Sequence, residues 1–144
     1  MTTNIATTKE QSARLLQCGV STESADMSWV RGAANVSDGN LSLHPYRRMQ
    51  RINWQSMRGR SEIVPAWSLS ALLGLLPKKI MNGVSRIYTV EIAYSHTFND
   101  APWTINYEGN GLNKNAHFNG KSPIEACVKA IEWLTANNYK LNQL

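Results

Sequence analysis

The chain has few of the residues that build covalently linked or metal-bound cores. Only two cysteines, Cys18 and Cys127, occur in 144 residues, and they lie far apart. This number and spacing argue against a disulfide framework and exclude a paired-cysteine metal knuckle. In a reducing compartment we expect both to be small, buried hydrophobic side chains.

The sequence also lacks a long hydrophobic run. Its most apolar stretch, from Pro65 to Leu76, is interrupted by Ser68 and Ser70 and closed by Pro77. A membrane-spanning helix needs about 20 consecutive apolar residues. No basic segment followed by an apolar segment opens the sequence, so no secretory signal is visible. We therefore expect a cytoplasmic protein that does not associate with membranes.

Motifs for catalysis and for cofactor binding are missing as well. The three histidines show no metal-binding spacing, no serine stands in a GxSxG elbow, and no glycine-rich loop sits between a strand and a helix. The sequence thus predicts no catalytic residue, no metal and no cofactor. The enzymatic alternative is a site assembled from His96, His117 and Glu108.

What is present is the composition of one compact domain, with 42% hydrophobic and 17% charged residues. The stretch near 66–76 predicts a buried helix whose apolar face repeats at helical spacing. Pro65 suits its first turn, Ser68 or Ser70 can cap it, and Pro77 begins a short basic turn. The apolar face comprises Leu69, Leu72, Leu73 and Leu76.

A helix near 8–18 is predicted by signals at both of its ends. Its capping box is either Thr7 with Glu10 or Thr8 with Gln11. Gly19 stands where a left-handed C-cap belongs. In the short turn that follows, Ser21 is the expected cap.

A helix near 122–137 has the clearest start signal. Ser122 can cap it, Pro123 suits its first position, and Glu125 follows three residues after the cap. The pattern predicts an inward stripe of Ile124, Cys127, Val128, Ile131 and Leu134. It also predicts an outer pair of Glu125 with Lys129, and a left-handed exit at Asn137 or Asn138.

Two alternating segments predict an antiparallel hairpin over residues 86 to 108. "RIYTVEIAYS" and "WTINY" both have the period of two that half-buried strands show. The intervening residues include Asn99, Asp100 and Pro102, which favour a turn. A short "AHF" can add an edge strand. We therefore predict one α+β domain over residues 1–144, with an antiparallel sheet of three or more strands and the helices packed on one face.

Positive charge is concentrated in one segment, an arginine-rich loop region at about 39–61. Between Asp38 and Glu62 the chain has five arginines and no acid, whereas the remainder has ten basic and ten acidic residues. Arginine binds phosphate through two hydrogen bonds and aromatic rings stack on bases, so nucleic-acid binding is one hypothesis. The alternatives are a solvated loop, or arginines that pair with acids of another subunit. The residues proposed for nucleic-acid contact are Arg47, Arg48, Arg51, Trp54, Arg58 and Arg60.

Three segments carry a resemblance to other sequences. "ESADM" after a helix ending in "LLQCGV", then "VPAWSLSALLGLLP", then "SPIEACVKAIEWLTANN" occur in this order. Together they resemble a set of small proteins of unassigned function, common in Bacteroidales genomes and in their phages and mobile elements. The resemblance does not cover residues 31–60. It implies a bacterial or phage cytoplasm as the setting and transfers no catalytic residue.

The sequence therefore predicts a small, non-enzymatic binding or accessory protein of a bacterial mobile element or phage. Its partner is expected to be another protein or a second copy of the chain, and Trp67 and Leu69 are the expected partner surface. Nucleic-acid binding through the arginine-rich segment is the second hypothesis. The enzyme described above is the third.

Overall fold

The computed structural model describes residues 5–31, 42–45, 62–81, 87–95, 100–109 and 116–142. These residues form three α-helices, one short 3₁₀ turn and seven strands. In chain order the elements are α1 (Lys9–Gln17), the 3₁₀ turn (Thr22–Ser24), β1 (Met27–Arg31), β2 (Ser42–Pro45), β3 (Glu62–Ala66), α2 (Leu69–Leu75), β4 (Lys79–Met81), β5 (Ile87–Tyr94), β6 (Trp103–Gly109), β7 (Ala116–Gly120) and α3 (Pro123–Ala136).

The strands form two antiparallel sheets. The smaller sheet has the order β2-β1-β3, and the larger has the order β4-β5-β6-β7. Helix α3 packs on β6 and β7, while α1 and α2 both pack against α3. The α+β class and the antiparallel sheet predicted from the sequence are therefore confirmed.

The ends of α1 follow the local signals in the sequence. Thr8 accepts a hydrogen bond from the backbone N–H of Gln11, and the side chain of Gln11 accepts one from the backbone N–H of Thr8. Gly19 has a φ of +85°, which is the left-handed conformation that glycine adopts without strain. Of the two capping boxes predicted, Thr8 with Gln11 is the one formed.

The segment before α2 differs from the prediction. Pro65 does not start a helix: it lies in β3, opposite Ser28 of β1. Since β3 is an edge strand, the missing N–H of a proline is tolerated there. The helix begins three residues later than predicted, where Ser68 accepts a hydrogen bond from the backbone N–H of Ala71. The carboxylate of Asp26 fixes this cap by accepting from the Ser68 N–H at 2.8 Å and from its hydroxyl at 2.5 Å.

The basic turn predicted after Pro77 is instead the edge strand β4. Ile80 is buried while Lys79 and Met81 are exposed, as alternation on a strand requires. The short segment pairs with the beginning of β5, where Lys79 lies opposite Thr89. This segment is a strand because it pairs with β5, and the local sequence alone does not reveal that pairing.

The hairpin lies where the sequence predicts it, as β5 and β6. Their register runs from Tyr88 opposite Gly109 to Tyr94 opposite Trp103. The "AHF" segment begins β7, which pairs with β6 and forms the other edge of the sheet. The even-numbered residues of β5 and the odd-numbered residues of β6 share the face toward the helices, where Ile105 and Tyr107 are fully buried.

Helix α3 forms as predicted and supplies much of the core. Ser122 accepts a hydrogen bond from the Glu125 N–H at 3.1 Å, and Pro123 occupies the first turn. The predicted inward stripe is completely buried, and Asn138 leaves the helix with a φ of +63°. This side of the helix and the facing side of the sheet form the hydrophobic core.

A charged cluster joins α1 to α3, and it corrects the pair predicted within α3. The guanidinium of Arg14 donates to Glu125 at 2.9 Å and also to both carboxylate oxygens of Glu132. Gln11 donates to the other oxygen of Glu125 at 2.5 Å. These hydrogen bonds raise the pKa of Arg14 further. Glu125 is thus engaged by α1, and Lys129 donates to the backbone carbonyl of Asn119 instead.

Candidate functional site

The residues proposed for nucleic-acid contact, from Arg47 to Arg60, lie outside the described residues. The same holds for His96 of the enzymatic alternative. The nucleic-acid hypothesis therefore stays a prediction from the sequence.

The two residues predicted as a partner surface have different positions. Trp67 is fully buried, so it cannot offer a surface to a partner, and the prediction is corrected for this residue. Its indole N–H donates to the hydroxyl of Ser24 at 2.9 Å, and its backbone N–H donates to the hydroxyl of Thr7 at 3.0 Å. Leu69 is partly buried against the core. Because the indole N–H has a hydrogen-bond partner inside the fold, burial of this tryptophan leaves its only polar side-chain group paired.

The structure places His117 and Glu108 on the same outward face of the larger sheet. Their strands are neighbours, and His117 lies opposite Asn106. The imidazole Nδ1 is 2.5 Å from the side-chain oxygen of Asn106, so its hydrogen bond goes to an amide and not to a carboxylate. Glu108 is exposed at the end of its strand. In the described part of the chain, no hydrogen bond or ion pair joins His117 to Glu108.

The cysteines carry no visible chemistry in the described part of the chain. Burial raises the pKa of the Cys127 thiol to about 12, so it stays protonated near neutral pH. Cys18 caps the end of α1 and borders a cavity of about 450 Å³ beside the end of α3. Among the described residues, no three His, Cys, Asp and Glu side chains lie close enough to hold a metal ion.

An apolar groove lies between α2 and β5, on the helix-covered face of the larger sheet. We refer to it as the β5 groove, and its volume is about 270 Å³. Helix α2 supplies Leu73 and Gly74, and β5 supplies Val90 and Ile92. The remaining lining residues are Leu76, Lys78 and Asn142.

Exposed hydrophobic side chains continue the β5 groove along β5. Ile92 is 46% exposed and Tyr94 is 53% exposed. The ring of Tyr94 lies edge-on to that of Trp103, with their centroids 5.1 Å apart. On the core-facing side of β5, Val90 is thus partly buried against the core whereas Ile92 and Tyr94 are exposed.

Strand β4 covers only the first part of the edge of β5. Strand β4 pairs with β5 only as far as Thr89, and beyond it the N–H of Val90 donates to the carbonyl of Lys78 at 3.1 Å. Polar groups of alternate residues in an antiparallel strand point to the same side. The N–H and carbonyl of Ile92 therefore point away from β6, toward the side on which β4 has ended.

Within the described structure, the packing around position 74 does not require a glycine. A Cβ atom added to it would meet nothing within 4 Å. Glycine inside a helix costs about 1 kcal/mol relative to alanine. The observable effect of this glycine is that no side chain projects from this part of the wall of the β5 groove.

No model of a known protein family matches the sequence, and no curated protein or solved structure matches it either. In the described ranges, none of the helices has the length and hydrophobicity needed to cross a bilayer.

Sequence reasoning missed the β5 groove although two signals for it were present. The alternation in β5 correctly places Val90, Ile92 and Tyr94 on one face. Alternation identifies the face but does not say how much of the strand a helix covers. Gly74 inside a helical pattern was the second signal, since an interior glycine calls for a packing or functional reason.

Proposed function

We propose that the protein is a non-enzymatic binding protein that takes a partner polypeptide in the β5 groove. The observation that carries this proposal is the apolar lining of the β5 groove, where the side chain of Ile92 is 46% exposed and Gly74 leaves the helix wall without a side chain. Polypeptides bind apolar grooves of this kind by placing their own apolar side chains in them. The setting in a bacterial mobile element or phage, which the resemblance implies, is part of the proposal.

The groove suits a polypeptide better than a small polar molecule. Its described lining contains one charged side chain, Lys78, and is otherwise apolar apart from Asn142. Burying the exposed part of Ile92 and the side chain of Leu73 would remove apolar surface from water, which favours binding by about 25 cal/mol per Å². Exposed apolar surface in a concave site is a usual mark of an interaction site.

The test uses peptides selected on the protein itself. A random peptide library displayed on phage is panned on the immobilised protein, and the recovered peptides are synthesised and titrated by fluorescence anisotropy. Ile92→Lys should weaken their binding at least tenfold, because a cation then occupies the apolar side of the edge. Met81→Lys is the matched control, since Met81 is 59% exposed in the same sheet but points to the opposite face. Equal binding to wild type and Ile92→Lys would refute the proposal.

The distribution of positive charge along the chain favours a second candidate function, nucleic-acid binding. The described residues contain eight lysines and arginines and nine acidic residues, a formal charge of −1. The net charge of +5 for the whole chain therefore comes from the remaining residues, chiefly the five arginines between 47 and 60. A nearly neutral fold with a concentrated basic segment is compatible with phosphate binding by that segment.

If these arginines contact phosphates, nucleic-acid affinity should fall with salt at a log-log slope of about −0.7 to −0.9 per contact. Replacing Arg47 and Arg48 with alanine should make the slope shallower by about two contacts. Trp54→Ala should weaken single-strand binding by about 1 to 3 kcal/mol and leave duplex binding nearly unchanged. Titrations at several salt concentrations measure both effects. Absence of binding at low salt, where attraction is strongest, would eliminate this function.

A further inference from the structure

We propose that residues 139–142, which follow α3 and which we call the strap, form a displaceable closure of the β5 groove. Detachment of the strap from α2 opens the groove, and reattachment closes it. This inference rests on the proposed function and adds a means of regulating the same site. It follows from three features: where the strap is anchored, how it holds α2, and which cavities it borders.

The beginning of the strap is fixed to α3. Asn138 leaves the helix with a φ of +63°, and the backbone N–H of Tyr139 then donates to the carbonyl of Leu134 at 2.9 Å. The ring of Tyr139 stacks on that of Trp133, with the centroids 5.5 Å apart and the planes inclined by 25°. A backbone hydrogen bond and a ring stack therefore hold this end of the strap against the helix.

The far end of the strap is held to α2 by a single residue. The backbone N–H of Asn142 donates to the carbonyl of Leu75 at 2.9 Å, and its side-chain amide donates to the carbonyl of Leu76 at 3.0 Å. Asn142 is exposed, so water competes for both hydrogen bonds. Between the two ends, Lys140 is exposed and Leu141 is partly buried against the core. The far end is therefore the end that can detach while the core stays folded.

Helix α2 depends on contacts at both of its ends. It has seven residues, and a helix of this length is marginal without support from the rest of the fold. The carbonyls of the last turn have no partners within a helix, and here the strap supplies donors for those of Leu75 and Leu76. At the other end, Asp26 fixes the Ser68 cap. Detachment of the strap thus leaves α2 supported at its beginning and free to fray at its end.

The strap and α2 both form walls of the β5 groove. Leu73 and Gly74 belong to α2, and Asn142 belongs to the strap. With these walls in place the groove has a volume of about 270 Å³, which is below the lower end of the range for ligand pockets, about 300 Å³. The preceding strap residues border the cavity of about 450 Å³ beside Cys18, so the strap has open space next to it. Movement of the strap therefore enlarges the groove without disturbing close-packed side chains.

The experiment detaches the strap by substitution in the full chain and measures amide hydrogen exchange by mass spectrometry. Asn142→Pro removes both donors, because proline has neither a backbone N–H nor a side-chain amide. Asn142→Asp keeps the shape of the side chain but sets a carboxylate against the carbonyl of Leu76. Exchange in α2 should become about tenfold faster in the proline variant and about fivefold faster in the aspartate variant. Strand β6, inside the larger sheet, should keep its wild-type exchange and so report that the core is intact.

Asn137 provides the matched control. Its exposed side-chain amide donates to the carbonyl of Trp133 at 2.8 Å, at the end of α3. Asn137→Asp therefore removes the same kind of hydrogen bond and adds the same charge, but it leaves the contact between the strap and α2 in place. Exchange in α2 should match wild type in this variant. Equal acceleration by Asn137→Asp and Asn142→Asp would overturn the inference, because the effect would then come from the added charge.

Access to the groove is measured with Nile red, an apolar dye without charge. If the dye binds only when the strap is detached, its affinity should rise in Asn142→Pro by the same factor as exchange in α2, about tenfold. Adding Ile92→Lys should remove this gain, since Ile92 lines the groove. Adding Met81→Lys should leave the gain unchanged, because Met81 lies on the opposite face of the sheet.

The outcomes separate this inference from the proposed function. Unchanged exchange in α2 in both Asn142 variants overturns the closure, and so does faster exchange with unchanged dye binding, since Asn142 would then only cap the helix. Peptide binding that depends on Ile92 but is equal in wild type and Asn142→Pro retains the proposed function and overturns the closure. Both strap effects without any peptide that depends on Ile92 retain the closure and refute the proposed function.

Discussion

Replacing Trp67 with alanine is expected to lower the free energy of unfolding by about 3 to 5 kcal/mol, the range for removal of a buried tryptophan. Trp67 is fully buried in the core, where it accompanies Leu15 and Leu72. The substitution would leave a cavity and would remove the donor to Ser24. Urea denaturation followed by circular dichroism measures the change.

The variant Trp67→Phe separates the two contributions. Phenylalanine keeps much of the apolar volume but cannot donate to Ser24, so its cost should be clearly smaller than that of alanine. If Trp67 were instead a partner surface, as the sequence suggested, Trp67→Ala would leave stability within about 0.5 kcal/mol, as surface substitutions usually do. That result would contradict the core position.

Replacing Gly120 with alanine is expected to destabilise the protein by about 1 to 3 kcal/mol, the usual cost of forcing an added carbon into a packed site. A Cβ atom there would overlap the backbone nitrogen of Ala126 and would lie 2.8 Å from the carbonyl oxygen of Ser122. Both atoms belong to the backbone at the start of α3, so β7 and the helix would have to move apart. Thermal or urea unfolding reports the loss.

The matched control is the same substitution at Gly74. Its Cβ would enter open space inside a helix, so Gly74→Ala should stabilise the protein by about 0.4 to 1 kcal/mol. The two glycine-to-alanine changes are thus expected to have opposite signs. Stabilisation of similar size at both positions would show that backbone entropy, and not contact at Gly120, governs the result.

Elements whose cause is local could be predicted from the sequence. Thr8 and Ser122 cap their helices through bonds to residues only three positions away, and Gly19 ends α1 by its own conformation. The hairpin likewise follows from the alternation within its strands. Interactions between residues close in sequence determine these features, so they can be predicted without knowledge of the remaining chain.

Features set by distant partners could not be predicted. Pro65 joins a strand because β1 lies beside it, and Glu125 turns to α1 because Arg14 is there. The candidate site belongs to this class, since the exposure of Ile92 depends on how far α2 extends over β5. The sequence did indicate the face of each residue, but tertiary packing decides which part of a face remains uncovered.

The cluster around Arg14 has a consequence for the order of folding. Its bonds to Glu125 and Glu132 join residues 111 and 118 positions apart. During synthesis, α1 therefore leaves the ribosome long before the helix that holds it, and its buried face must wait for a partner. Contacts of such large sequence separation slow folding, because loop closure precedes the gain from packing. We expect ribosome-bound chains arrested before residue 123 to keep α1 exposed to proteases, and full-length chains to protect it.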